Sequence, residues 1–390
     1  MRIILMCGKG GVGKSTLAAA LGARSAAVGQ RTLVYSVDPA HSLAWTFDQA
    51  VGGTPTPLGP NLWAAELEAL SLLDDQWGDL RGYLDSVIKS QGFQQGAGAE
   101  LASLPGVHEF AALLRLKQHA DSKQFDVIIV DHAPTAFALR LLSLPDVMGF
   151  YAKHGKRLWE RYGAQMMMAL PMLGANIPLP TGGMIGKGLE TLELLRGLPA
   201  LLADPAVTSA RLVLTPETPA LDEARNLYAH LSLYGITTDQ VLVNRLLPAA
   251  VVDPFFAEPR EREQGVRARA QAEFAPVAVS EVEMLAQEPR GIAKLTAFGE
   301  QVWPSSDATA RQTQDLALRV TQDGEQVMVD IKLPFVTAKD VDLAKFENEL
   351  YITIGQHRRN LVLPPETTDM QPVKAKFAEG RLLVTLARTS

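Results

Sequence analysis

Over the first three hundred positions apolar residues fall in short unbroken runs bounded by glycine or polar residues, at 3–7, 33–37, 125–130, 211–214, 241–243 and 276–279. Runs this short without a polar face predict strands buried on both sides. Between them the apolar positions follow helical spacing, as at 17–27 and 220–233. Strands alternating with helices predict an α/β fold, a doubly wound, mostly parallel sheet. Two stretches break the alternation, about 66–116 and 151–202, the second rich in Met, Leu, Gly and Pro. Both are assigned to a helical subdomain inserted beside the sheet. Past Trp303 the small and polar residues of 304–312 predict a linker between a domain over 1–303 and a module over 313–390. In that module alternating runs at 316–321, 326–333, 350–354, 360–363, 373–377 and 381–386, separated by Asp-Gly, Glu-Asn and Glu-Gly turns, predict an all-β sandwich.

Composition narrows the function. The chain has 390 residues, 47% hydrophobic and 21% charged, enough for two or three cores. Its net charge of −6 argues against nucleic acid or anionic lipid as a default partner. A single cysteine, Cys7, can form neither an intrachain disulfide nor a multi-thiolate metal site, and suits the interior of the first strand as a small hydrophobe. No apolar stretch approaches the ~20 residues that span a bilayer as a helix. The glycine-rich loop that follows the first strand leaves no room for a leader, so a cytoplasmic location is expected.

The chemistry is concentrated in Gly8-Lys9-Gly10-Gly11-Val12-Gly13-Lys14-Ser15-Thr16, a complete P-loop between a predicted strand and a predicted helix. Its backbone amides would cradle the phosphates of ATP or ADP, Lys14 would reach the β- and γ-phosphates, Ser15 would offer a hydroxyl to Mg2+ and Thr16 would donate to the α-phosphate. The strand at 125–130 closes on Asp131, the Walker B pattern, giving Mg2+ a carboxylate directly or through water. The strand at 33–37 closes on Asp38, which is placed to orient or deprotonate the attacking water or, on the plainer reading, to cap a helix.

These residues carry a resemblance. Lys9, ahead of Lys14 in the same loop, is similar to the signature lysine of the deviant P-loop ATPases, the class of MinD, ParA, the nitrogenase iron protein and the arsenite-pump (ArsA)/tail-anchored-protein-targeting ATPases. Asp38-Pro39-Ala40-His41-Ser42-Leu43 resembles switch I of the last group, and Asp131-His132-Ala133-Pro134-Thr135, continuing through Leu139 to Pro145, resembles its switch II, with His132 where the family has Thr. Leu104-Pro105-Gly106-Val107-His108-Glu109 is similar to a Pro-Gly-Ile-Asp-Glu segment of the family. Thr215-Pro216-Glu217 and the helix after it resemble the element closing the base end of the pocket, where Pro216 and Glu217 would contact nucleotide. Asn244 matches the adenine-contacting residue, its alternative being a turn or cap, and the segment 280–291 resembles the loop over the base.

The resemblance implies a homodimeric, Mg2+-dependent ATP hydrolase. Lys9, Lys14 and Asp38 would be catalytic, Ser15 and Asp131 would hold metal, and Gly8, Gly10, Gly11, Val12, Gly13, Thr16, Pro216, Glu217 and Asn244 would bind nucleotide. It further implies a hydrophobic protein client, a transmembrane or amphipathic helix, with a membrane receptor for delivery. The thiolate metal chemistry of arsenite pumps and the zinc clamp of the eukaryotic targeting factors do not carry over to a chain with one cysteine. Beyond 313, Asp330-Ile331-Lys332-Leu333-Pro334 and Gly380-Arg381-Leu382-Leu383-Val384-Thr385-Leu386 resemble an α-crystallin/small heat-shock domain, either a holdase or an interface brace. Five methionines between Met166 and Met184 suit either a core or a client groove. A positioning or scaffolding ATPase of the MinD or ParA kind is the alternative; it would favour an amphipathic C-terminal helix or a basic face, for which Lys153, Lys156, Arg157 and Arg161 form a basic cluster that a solvated helix face explains equally well.

Overall fold

The computed structural model describes residues 1–38, 42–68, 107–131, 161, 197–305, 307–355 and 357–388. Its elements run β1 (Arg2–Gly8), α1 (Lys14–Ala27), β2 (Thr32–Ser36), α2 (Leu43–Phe47), β3 (Thr56–Gly59), β4 (Leu62–Glu66), α3 (Val107–Ser122), β5 (Val127–Asp131), α4 (Leu198–Ala203), β6 (Thr208–Leu214), α5 (Thr218–Leu233), β7 (Thr238–Leu246), α6 (Ala257–Phe274), β8 (Ala278–Glu283) and α7 (Ile292–Val302). The eight strands form one sheet in the order β3-β4-β2-β5-β1-β6-β7-β8. Every pairing is parallel except the β3/β4 hairpin at one edge. That hairpin is new relative to the sequence reading: β3 carries Pro57 and a single buried residue, Leu58, too little apolar character to stand out.

Five of the six predicted runs become strands buried on both faces, β1, β2, β5, β6 and most of β7, whereas the run at 276–279 meets β8 only at Ala278 and Val279, and β8, an edge strand, has Val282 as its one buried residue. α1 packs Leu17 and Leu21 into the same core as Val34, Ile129, Leu295 and Phe298. Burying each such side chain contributes about 1.5–3 kcal/mol, so this layer anchors the loop that precedes α1. The chain divides into two compact units, one of residues 1–66, 123–143 and 200–390 and the other of 67–122 and 144–199. Within the second, α3 is buried without a break from Glu109 to Leu114 and again at Leu116.

The segment after α7 is strapped to the base of the sheet. Arg211, fully buried on β6, pairs with Asp239 at 3.4 Å and donates to the Ala308 carbonyl at 2.8 Å, while Arg2 donates to Thr309 O at 3.3 Å. Beyond it β9 (Leu318–Asp323), β10 (Gln326–Lys332), β11 (Val341–Phe346), β12 (Glu349–Ile354), β13 (His357–Val362), β14 (Met370–Ala378) and β15 (Arg381–Arg388) form two antiparallel sheets, β14-β15-β10-β9 and β11-β12-β13. Strand β11 was not singled out in the sequence, because Asp342 and Lys345 interrupt its apolar positions.

This β module is seated on the end of α5. Arg359, buried on β13, donates to Leu233 O, and Tyr234 donates to Arg358 O at 3.4 Å. The Phe335 ring lies 6.3 Å from Tyr228 and 5.9 Å from Phe274, centroid to centroid, and the Lys332 ammonium 4.9 Å from the Tyr228 ring. Apolar contact, a cation over a ring and a buried guanidinium on a helix-end carbonyl fix the module to the α/β core.

Candidate nucleotide site

The ends of β1, β2, β5 and β7 meet at one edge of the sheet, the edge at which such folds bind ligands. The chain leaves β1 at Gly8 and enters α1 at Lys14 through two backbone conformations that need glycine. At Gly8, φ is +154° and a Cβ would stand 2.1 Å from the Val213 carbonyl oxygen; at Gly13, φ is +94° and a Cβ would stand 2.5 Å from Asn244 Nδ2. Gly13 makes no side-chain cap, so the first amides of α1 face the loop mouth, where an anion can take their hydrogen bonds.

Lys14 is buried and its Nζ donates to Lys9 O at 2.8 Å, resting on the loop's own carbonyl. Burial holds this ammonium below its ordinary pKa, against the pull of Asp131 and Asp38. Lys9 itself is exposed. Asp131 is fully buried. Its Oδ2 accepts from Ser36 Oγ at 3.3 Å, while Oδ1 has no partner, and the nearby Ser15 hydroxyl favours the charged form. Burial pushes this carboxyl up to about 6; the charge of Asp38 adds to the rise and Lys14, Ser15 and Ser36 oppose it. A buried carboxylate with a spare oxygen beside a serine hydroxyl is a hard oxygen donor set, and it fits Mg2+ or a water bound to it.

Ser36 joins the two acids. Its hydroxyl donates to Asp131 and accepts from the Asp38 backbone N–H at 3.2 Å, so the backbone of half-buried Asp38 is tied to the buried carboxylate. The first amides of α2, Leu43 N and Ala44 N, donate to Glu66 Oε1 at 2.7 and 3.2 Å. The sequence reading singled out neither Ser36 nor Glu66. Glu66 carries the same signal as Asp38 and Asp131, an apolar strand closing on a carboxylate, while Ser36 has no signal apart from its place two residues before Asp38.

Asn244, on β7, donates from Nδ2 to Val12 O at 2.8 Å. With Gly13, Thr16 and Phe298 and the segment 283–289 it lines a cavity of about 390 Å³. Met284 and Leu285 are exposed apolar side chains at its wall, surfaces that a flat ring could cover. The segment read as a loop from 280 is strand β8 up to Glu283 and loop after it. Pro216 and Glu217 stand at the junction of β6 and α5, Glu217 exposed, and neither is among the residues lining this cavity. Lys9, Lys14, Ser15, Asp38 and Asp131 are thus gathered at the loop mouth, and Thr16 and Asn244 at the cavity. Residues 39–41, His132 with the rest of the switch II resemblance, 104–106, Lys153, Lys156, Arg157 and the methionines between 166 and 184 lie outside the described residues. Among the described residues no cluster of His, Cys, Asp and Glu has the makings of a separate metal site, and no helix is long and apolar enough to cross a membrane. Cys7 is buried and its thiol is pushed up to about 12, first by burial.

Comparison with known proteins agrees with this geometry. A family model described as anion-transporting ATPase, of the ArsA type, matches residues 1–303, and one described as an HSP20-like domain found in ArsA matches 324–386. A putative arsenical pump-driving ATPase of Aquifex aeolicus is 30% identical over 397 residues, spanning 98% of this chain and 99% of its own. The protein named ATPase get3 of Neurospora crassa is 29% identical over 321 residues, 77% of this chain and 90% of that one.

Proposed function

The chain belongs to the ArsA-type anion-transporting ATPase family, and from that premise we propose that it is a homodimeric, Mg2+-dependent, cytoplasmic ATPase whose nucleotide state governs binding of hydrophobic protein segments. The observation that carries the reading is the convergence of Lys14, Ser15, Asp38 and Asp131 around the P-loop mouth, with a buried carboxylate oxygen of Asp131 left without a partner. ATP enters with its base against Asn244 and the 284–289 loop and its phosphates on the amides of residues 10–16. Lys14 exchanges the Lys9 carbonyl for phosphate oxygen, a stronger, charge-assisted bond. Ser15 and Asp131 are the residues that would hold Mg2+, which when bound screens the charge of the β- and γ-phosphates. Asp38 orients the attacking water or accepts its proton, and Ser36 fixes where that carboxylate starts.

Lys9, exposed beside the mouth, is available to reach phosphates bound by a facing subunit, as the resemblance implies. The client reading rests on the resemblance of both switch segments to the arsenite-pump/tail-anchored-protein-targeting group and on the similarity to proteins named GET3. The chain's one thiol, buried, leaves metalloid cargo without thiolate ligands. The HSP20-like module, fastened to α5, supports a bracing role in place of a freely tethered holdase. Asp38→Asn tests the chemistry: MgATP affinity should stay within threefold of wild type while kcat falls by on the order of 100-fold or more. A wild-type kcat would make Asp38 a cap and nothing further.

A further inference from the structure

Helix α2, which follows Asp38 by four residues, is held at both ends by residues outside the P-loop. Its first amides are tied to Glu66. Its other end is tied to the loop that lines the cavity beside Asn244. Arg290 Nε donates to Trp45 O at 3.2 Å, the guanidinium pairs with Asp48 Oδ1 at 2.5 Å and lies 5.4 Å from the centre of the Trp45 ring, and Gly291 N donates to Thr46 O at 3.0 Å. Asp48 ends the helix in a left-handed conformation, φ +56°, its N–H donating to Trp45 O at 3.2 Å, so Arg290 shares that carbonyl with the cap. Arg290 and Gly291 directly follow the cavity-lining residues 283–289, and Gly291 is also the N-cap of α7. One dipeptide therefore joins the lining of that cavity to the helix that leads back to Asp38.

We propose that Arg290 is a positioning residue that makes the base-covering loop and α2 move together, so that seating the base sets the placement of Asp38. The proposal rests on the reading of Asp38 and of the 284–289 loop given above. A planar guanidinium bonded at once to a carbonyl, a carboxylate and a ring face fixes direction as well as distance, which a lysine cannot do at this position. If Arg290 only held the loop for binding, its loss would raise KM alone. If it also places Asp38, kcat must fall with the base bound.

The test is steady-state MgATP hydrolysis by Arg290→Met, Asp48→Asn, the double variant and, in parallel, Asp38→Asn. Both side chains of the pair are about half exposed, so each single variant should fold. The expected result is a kcat about three- to tenfold lower for each single variant, the double variant falling no further than the worse single one because both remove one contact. Trp45, read as the difference in fluorescence between each protein and its Trp45→Phe counterpart, should respond to ATP in the wild type and not in Arg290→Met. An unchanged kcat in Arg290→Met, whatever its KM, or fully additive losses in the double variant would overturn the proposal. A wild-type kcat in Asp38→Asn would instead remove the catalytic reading on which it rests, and the Trp45 response would then judge the loop–helix tie by itself.

Discussion

Replacing Asp131 by Asn should make the nucleotide-free protein more stable at pH 8 while leaving it unable to hydrolyse ATP. The Asp131 carboxyl is fully buried, one oxygen lacks a partner, and its pKa is raised from 3.8 to about 6, chiefly by burial. A carboxyl with a raised folded-state pKa holds its proton in the folded chain after the unfolded chain has released it. Stability therefore falls as pH rises from about 4 to about 6 and stays lowered above that window. The full penalty is on the order of 3 kcal/mol, and about half of it is present at pH 5. Asn keeps the shape and carries no charge, so it removes the penalty. For a domain of this size the gain is about 5 °C in Tm at pH 8 and about half that at pH 5. Scanning calorimetry in EDTA without nucleotide reads both values. Any fixed offset from exchanging a hydroxyl for an amide is the same at both pH values, so the difference between them reports the carboxylate. An equal Tm change at pH 5 and pH 8 would refute the reasoning.

Two further outcomes follow from the same structure. Lys9→Ala should leave Kd for MgATP within about threefold, since Lys9 touches Lys14 only through its carbonyl, yet lower kcat at least tenfold if the ammonium serves a facing subunit; turnover against protein concentration measures this. The His230 and His357 rings lie 3.9 Å apart where the β module meets α5; burial holds both below the ordinary histidine pKa, and His230 lowers His357 further. The separated or unfolded chain then protonates first, so the contact should weaken as pH falls below about 6.5, and His357→Asn should flatten that dependence in thermal unfolding followed from pH 8 to pH 5.

Much of the site was legible because its parts are local in sequence. The P-loop is nine consecutive residues, and Asp38 and Asp131 each close an apolar strand, a pattern that parallel sheets impose on catalytic edges. Glu66 has that pattern too and went unread, because it stands where the regular alternation stops. Arg290 could not have been read at all: its partners lie 242 to 245 positions away, and a lone Arg before Gly in a loop carries no signal. Arg211 was read within an apolar run and is indeed fully buried, but what permits this is Asp239 on the neighbouring strand, a pairing that only the sheet order reveals. Strands β3 and β11 escaped notice for lack of an unbroken apolar pattern; tertiary pairing makes them strands, not propensity.

The central claim, that nucleotide state controls a hydrophobic protein-binding surface, is tested most directly by equilibrium binding of a dye-labelled peptide carrying one apolar helix of about 20 residues to the Asp38→Asn protein. Anisotropy titrations in MgATP and in MgADP should give affinities that differ at least tenfold between the two nucleotides. Equal affinity in both states, or no binding in either while MgATP is bound, would contradict it.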